Sequence, residues 1–242
     1  MKKYLVAFLL YSTSVNLFAQ EDVPVINDLL TNMSPQMGNS KSGDLTNFSV
    51  KENTEGNQFL FDKWVSGKIF ITDSSGFNTA GFSFNYDKMN RKLLATKDKK
   101  SMMEVNTNLI KSFELTDAGT TYIFEKVPAI SNSFLIQLVK HTGKYSLYKS
   151  LTTQFQKANY YNNGIVETGN KYDSYIDAVE YYVLFPDGSY KKVELKRKSI
   201  KNAFSADEKK VNTYFSNNND AVGAMGNIDE NFLIGLVSFL DQ

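Results

Sequence analysis

Short segments of alternating apolar and polar residues, separated by turn-forming clusters, constrain this fold more than any other sequence feature. In Phe82-Ser83-Phe84-Asn85-Tyr86 the aromatic residues share one face of a strand, because successive side chains of a strand point to opposite faces. Six such strands predict an antiparallel meander, folded as a curled sheet or a small barrel. They span residues 65–72, 82–86, 92–96, 102–105, 110–115 and 122–127.

Further strands are predicted at residues 134–140 and 145–155, after a break at 128–132. A hairpin is predicted around Pro186-Asp187-Gly188, with strands over 181–185 and 190–195. Proline fixes φ, aspartate bonds its own backbone, and glycine accepts the left-handed conformation of a bulged turn.

Two helices are predicted at the C-terminal end, over residues 206–216 and 228–240. Ser205 with Glu208, and Asn227 with Glu230, have the spacing of capping boxes. The second helix is apolar almost all round, so it must be buried against the sheet or a partner. The predicted fold class is α+β, mainly β, with both helices packed on the meander.

The predicted β-rich domain covers residues 58–242, with a possible sub-boundary near 128–133. Residues 21–57 are polar and rich in turn formers, so we expect a flexible leader, because such a segment buries little apolar surface. Within it, Val25-Ile26 and Leu29-Leu30 have helical spacing, which predicts one or two docked helical turns. Residues 159–170 are interpreted as a loop on composition.

Residues 1–20 have the pattern of a cleavable signal peptide. Lys2 and Lys3 precede eight apolar residues, and Ala19 and Gln20 come before an acidic pair. The apolar run is far shorter than the roughly 20 residues of a membrane span, and the lysines argue against a buried helix. We therefore expect a protein exported to the periplasm or the cell exterior, with no transmembrane segment after cleavage.

The absence of cysteine narrows the route of export. A bacterial lipoprotein carries its lipids on a cysteine, so this chain is not expected to be one. Exported eukaryotic domains of this size usually contain disulfides, so the composition favours a bacterial source.

The segment Phe61-Asp62-Lys63-Trp64-Val65-Ser66-Gly67 is followed by a Gly-x-x-x-x-Tyr strand from Gly81 to Tyr86. In these features the chain resembles an uncharacterised group of small secreted or periplasmic proteins of Bacteroidota. In that group an aromatic-Asp-x-Trp-x-x-Gly segment opens a β-rich domain, and an apolar helix closes the chain. The resemblance implies an exported β-rich protein and no particular chemistry.

Composition restricts the possible chemistry, because the chain has one histidine and no cysteine. Cysteine nucleophiles and zinc sites built on several His or Cys ligands are excluded. A Ser-His-Asp triad could use only His141, in a predicted turn, and no Gly-x-Ser-x-Gly elbow is present. Ser146 with Lys149, and Ser189 with Lys192, match Ser-x-x-Lys only on predicted strands. No catalytic residue, metal site or cofactor is predicted.

Charge argues against nucleic acid as a partner. Removing Lys2 and Lys3 leaves 25 basic residues against 26 acidic ones, so the mature chain has no strong field to attract a polyanion. Carboxylate chemistry remains open, because two Asp or Glu residues suffice for a glycosidase. The candidate carboxylates are Asp62, Asp87, Asp173, Asp177 and Glu180, and no spacing favours a pair, so solvated surface acids are the simpler interpretation.

Tyrosines are concentrated between residues 160 and 182. Amphipathic rings on loops suit recognition of a sugar or a protein, although ordinary strand propensity explains the cluster more simply. The predicted binding residues are Tyr160, Tyr161, Tyr172 and Tyr175, and Tyr181 and Tyr182 belong to the same cluster. Trp64, with Phe82, Phe84 and Tyr86, is expected to anchor the core.

A cluster of basic residues surrounds the last predicted strand. Lysines at the edge of a sheet oppose aggregation, and an anion site is the alternative. The cluster consists of Lys191, Lys192, Lys196, Arg197, Lys198 and Lys201.

The predicted function is an exported, non-catalytic envelope or secreted protein that binds a protein or a glycan. The alternatives are a carboxylate-only glycan hydrolase and a carrier that holds an apolar ligand in a small barrel.

Overall fold

The structure is a computed structural model that describes residues 26–32, 53–71, 76–140, 143–222 and 228–241. Strands hold 43% and helices 19% of the described residues, which confirms the mainly β class. The predicted signal peptide lies outside the described residues, as does His141.

The described residues form fifteen strands, three α-helices and three short 3-10 turns. The strands are β1 Leu30–Asn32, β2 Thr54–Glu55, β3 Ser66–Phe70, β4 Gly76–Phe77, β5 Ser83–Asp87, β6 Lys92–Thr96, β7 Met103–Val105, β8 Ser112–Asp117, β9 Thr120–Lys126, β10 Phe134–Val139, β11 Ser146–Gln156, β12 Tyr161–Asn162, β13 Glu167–Thr168, β14 Asp173–Leu184 and β15 Tyr190–Val193. The helices are α1 Arg197–Ala203, α2 Glu208–Asn217 and α3 Glu230–Leu240, and the 3-10 turns are Ile26–Leu29, Ser205–Asp207 and Asn219–Ala221.

Two sheets carry the fold. The large sheet has the order β15-β14-β11-β10-β9-β8-β3-β4, and β2 lies parallel to β14 at its far end. The small sheet has the order β1-β7-β6-β5. The large sheet is not closed, so of the two forms that the sequence left open the structure has the open one. Because β9 pairs with β10, the sheet continues across the possible boundary near 128–133.

One half of the large sheet is covered by the small sheet. Ile69, Phe113, Phe124 and Ile136 are neighbours on four adjacent strands, so their side chains share one face of the large sheet. The rings of Phe113 and Phe124 stack with centroids 4.5 Å apart. The predicted core residues Phe82, Phe84 and Tyr86 are buried in the same cluster, which places the main core between the two sheets.

The other half of the same face is covered by the helices. Leu147 and Val183 face each other on β11 and β14 and are fully buried. Leu233 and Leu236 of α3 lie in the same cluster, as does Phe215 of α2. The apolar run of α3 is therefore explained by packing within this chain.

The helix ends differ from the predicted capping boxes. Ser205 lies in a 3-10 turn, and Asp207 precedes α2 without a side-chain cap. Asp229 caps α3 by accepting a hydrogen bond from the backbone N–H of Phe232 at 2.7 Å. The helix α1 was missed, because its residues were interpreted as part of the basic cluster.

The predicted leader needs a partial correction. Ile26 and Leu29 are buried in the main core, which confirms the docked turn for its described part. Leu30–Asn32 pairs with β7, and Thr54–Glu55 pairs with β14, so these residues belong to the fold.

Trp64 is buried on the opposite side of the small sheet from the main core. It packs with Leu94, whose neighbour Leu93 points into the main core. On this same side Asn85 is fully buried, and its side chain bonds the backbone of Phe61 and Lys63. Both faces of the small sheet are therefore covered.

No helix among these described ranges is long and apolar enough to cross a membrane.

We expect Trp64→Ala to lower the free energy of unfolding by about 3 to 5 kcal/mol, because it empties a buried aromatic site. Urea unfolding followed by circular dichroism measures the loss. Leu109→Ala is the control, since Leu109 is 67% exposed and its loss should stay within about 0.5 kcal/mol. A loss below about 1 kcal/mol for Trp64→Ala would contradict its role in the core.

The contacts of Asp207 predict that the free energy of unfolding depends on pH. Burial alone would raise the pKa of its carboxyl, but hydrogen bonds from Lys144 and from the hydroxyl of Tyr145 hold the pKa below its ordinary value. The stability that a lowered pKa provides is present above about pH 4 and is lost as the pH falls through the folded-state pKa. Asp207→Asn should cost about 1 to 3 kcal/mol at pH 7 and flatten the dependence of unfolding free energy on pH between 2 and 5. Equal slopes in both proteins would refute this role for Asp207.

Candidate functional site

A projecting β-ribbon is the most distinctive surface feature of the described residues. The strands β11 and β14 pair without interruption from Ser146↔Leu184 to Gln156↔Ser174. Beyond Thr153 the chain is exposed on both faces until it returns at residue 172. We call residues 154–176 the arm.

The end of the arm is a second hairpin with shorter strands, where the composition had predicted a loop. Tyr161 pairs with Thr168, and Asn162 pairs with Glu167. The side chain of Asn163 accepts hydrogen bonds from the backbone of Ile165 and Val166, and Gly164 has the left-handed φ of +84°. The asparagines and glycines that suggested a loop therefore form the turn of this hairpin.

The four tyrosines predicted to bind a partner all lie on the arm. Tyr160, Tyr161 and Tyr172 are exposed, and Tyr161 is 62% exposed. The half-buried ring of Tyr175 lies 5.1 Å from that of Phe155. The hydroxyl of Tyr160 accepts a hydrogen bond from Asn162 at 3.1 Å. Binding of a partner by these four tyrosines stays a prediction.

The other two tyrosines of the sequence cluster have structural positions. Tyr181 is buried, and its hydroxyl donates to Glu230 of α3 at 2.7 Å. Tyr182 donates to Glu180 at 2.7 Å. Burial, and then this hydrogen bond, raise the pKa of Tyr182 to about 12. These two rings stabilise the large sheet and are not part of the exposed group.

Sequence reasoning missed the aliphatic residues of the arm. Ile165 is 91% exposed, Val166 and Ile176 are each about half exposed, and Phe155 is equally open. Val179 is exposed just below the arm. Phe155 ends a predicted strand, and Ile165 and Val166 lie in the predicted loop. Neither prediction shows whether another element covers these side chains.

An ion pair between a buried lysine and a half-exposed aspartate fixes the base of the arm. The ammonium of Lys88 donates to both carboxylate oxygens of Asp177, at 2.7 and 2.8 Å, and the hydroxyl of Thr153 bonds the same carboxylate. The side chain of Lys88 is only 7% exposed, whereas that of Asp177 is 43% exposed. The small sheet therefore supports the point at which the ribbon leaves the fold.

The candidate carboxylates make structural contacts. Asp87 is buried and accepts bonds from Gln58 and from the turn at Asn90. The hydrogen bond from Lys192 holds the pKa of Glu180 below its ordinary value, so this group is ionised at neutral pH. A glycosidase needs one protonated carboxyl group beside an ionised one, and Glu180 does not have the raised pKa of the proton donor.

Two other candidate carboxylates have simple surroundings. Asp173 accepts from the backbone of Ala158, and Asp62 is exposed. Within the described ranges, no group of three His, Cys, Asp or Glu residues could hold a metal ion.

The two Ser-x-x-Lys matches have no catalytic geometry. Ser146 and Lys149 are three residues apart on β11, so their side chains point to opposite faces. Lys149 pairs instead with Glu230 at 2.7 Å. Lys192 pairs with Glu180, and Ser189 bonds Asp187.

The basic cluster lies at the sheet edge formed by β15, as the sequence suggested. Lys191 donates to the carbonyl of Ala203, and Lys196 pairs with Glu194. Arg197 and Lys201 lie over the ring of Phe215. These contacts favour structural and edge-protecting roles over an anion site.

Comparison with protein families, curated proteins and solved structures finds no match to this chain. The resemblance to secreted proteins of Bacteroidota stays a prediction.

Replacing Asp177 tests the support of the arm. Asp177→Ala leaves the buried ammonium of Lys88 without its partner and should cost about 3 to 5 kcal/mol. Lys88→Met is the matched control and should cost about 1 kcal/mol, because the half-exposed carboxylate that remains can be hydrated. Urea unfolding of both variants measures the difference. The opposite order of costs would show that the pair does not support the arm.

Proposed function

We propose that this protein is an exported, non-catalytic binding protein that recognises a protein partner through the arm. The observation that carries the proposal is the arm itself, an ordered ribbon with exposed apolar side chains along both faces. Export rests on the predicted signal peptide of residues 1–20 and agrees with the absence of cysteine.

Energetics support a partner for the arm. A two-stranded ribbon is only marginally stable in water, and single exposed apolar residues are common but groups of them mark interaction sites. Burying an aliphatic or aromatic side chain gains about 1.5 to 3 kcal/mol. Burial of Tyr161, Ile165 and Val166 against a partner would therefore stabilise both the complex and the ribbon.

The composition of the surface favours a protein over a glycan. Sugars stack on aromatic rings, whereas the most exposed large apolar side chain of the arm is the branched aliphatic Ile165. Tyrosine is enriched in protein interfaces, and the centre of an interface is more apolar than its rim. The contacts made by the candidate carboxylates give no support to a glycan hydrolase, and the open sheet gives none to a barrel carrier.

Photo-cross-linking in cells that express the full chain tests this proposal. A photoreactive phenylalanine replaces Tyr161 or Ile165 on the arm, or Leu109, which is exposed elsewhere. We expect discrete protein adducts from both arm positions and none from position 109. Mass spectrometry of the same bands reads the mature N-terminus, which should follow Gln20.

A shortened chain is the matched control, with residues 158–172 replaced by an Asn-Gly turn that joins the paired ends of the ribbon. Its melting temperature should stay within about 4 °C of the wild type, equivalent to about 1 kcal/mol, while the partner binds more weakly. Unchanged binding by the shortened chain, or adducts of equal yield from position 109, would refute the proposal.

A further inference from the structure

The outer edge of β14 is paired only at its two ends. Tyr181 to Leu184 pair with β15, and Asp173 and Ser174 pair with β2. Between them, residues 175–180 border no strand among those described. We call this stretch the open edge. Six residues of strand span about 20 Å.

In an antiparallel sheet the backbone N–H and C=O groups of successive residues point alternately to the two neighbouring strands. This alternation shows which residues of the open edge direct their backbone groups outwards. Phe185 donates its N–H to Ser189 at 2.9 Å, and the carbonyl of Tyr175 points at Gly56 on the β2 side. Odd-numbered residues therefore direct their backbone groups outwards, and even-numbered residues bond β11, because every second residue faces the same neighbour. The registers are unbroken across this stretch. No described strand bonds the two N–H and two C=O groups that Asp177 and Val179 thus direct outwards.

The open edge lacks the protection that the end of the same sheet has. Edge strands normally carry lysine, proline or a bulge that prevents pairing with another chain. At the end of the sheet β15 carries Lys191 and Lys192, whereas residues 175–180 contain neither lysine nor proline. The charges of the open edge are engaged, Asp177 by Lys88 and Glu180 by Lys192.

We propose that the open edge binds a short extended segment of a partner protein as an added strand. This inference rests on the proposed function and names the form in which the partner is recognised. Main-chain hydrogen bonds to Asp177 and Val179 would give affinity. The exposed side chains of Ile176 and Val179, on opposite faces of the strand, would contact apolar residues of the added segment.

The geometry excludes a second copy pairing through its own β14. A strand added to the open edge would lie about 4.8 Å from β14. At the two ends of the open edge this position is already taken by β2 and β15. A second β14 has twelve residues and would collide with one of them. The segment must therefore be about six residues long or shorter. Exposed Glu55, which has no ion pair within the described residues, favours a basic residue at that end.

The test uses random hexapeptides displayed on phage and selected on the full chain. Val179→Pro removes one outward N–H and places a ring at the edge, and proline is tolerated where the N–H of an edge strand faces solvent. Selected peptides should bind Val179→Pro at least tenfold more weakly and Val179→Ala within threefold of the wild type. Ala178→Pro checks the alternation, because it removes a bond to β11 and should lower the melting temperature.

Hydrogen exchange of the wild-type protein gives a second readout that does not depend on folding of the proline variant. The amides of Asp177 and Val179 should exchange quickly in the free protein and at least tenfold more slowly with a selected peptide bound. Slow exchange of both amides in the free protein would overturn the inference. So would failure to select any peptide, or peptides that protect only residues 158–172.

Self-association through this edge would also overturn the inference. It would appear as a concentration-dependent dimer of the wild type that Val179→Pro abolishes. If the cross-links from positions 161 and 165 persist in Val179→Pro, the proposed function stands and strand addition fails. If those cross-links are absent while selected peptides still protect Asp177 and Val179, the arm proposal fails alone.

Discussion

The long pairing of β11 with β14 is the constraint on which the rest of the structure depends. On one face of this pair, Leu147 and Val183 lie beneath the helices, while Thr153 and Asp177 meet the small sheet at Lys88. Phe155 and Tyr175 lie on this same face, beyond the parts that the helices and the small sheet cover. Since the two strands are longer than the elements packed on them, their far end becomes a ribbon in solvent.

Polar contacts at two points fix the positions of the helices and of the small sheet relative to β11 and β14. Glu230 at the start of α3 pairs with Lys149 of β11 and accepts from Tyr181 of β14. Lys88 at the end of β5 pairs with Asp177 of β14 in the same way. Each contact joins a packed element to the inner face of the sheet, so both sets of apolar contacts depend on the same pair of strands.

Local patterning predicted much of this fold but not its exposed parts. The strand Lys92–Thr96 has the predicted bounds, and α3 lies within its predicted range, because both follow from a strong apolar pattern. Asn85 lies on the polar face of its predicted strand, yet it is buried because residues 58–65 cover that face. The two hairpins of the arm were obscured by asparagine and glycine, which a loop and a tight hairpin share. Exposure of Ile165 depends on what packs nearby, and no local pattern contains that information.

Recognition of a partner through the arm requires that the ribbon is already formed before the partner binds. Backbone ¹⁵N relaxation of residues 157–172 in the free protein measures this most directly. The structure predicts order parameters close to those of β11, with slow amide exchange at Asn159 and Asn170, whose backbone and side-chain groups bond across the ribbon. Order parameters below about 0.6 throughout this stretch would contradict a preformed arm, and with it the proposed mode of recognition.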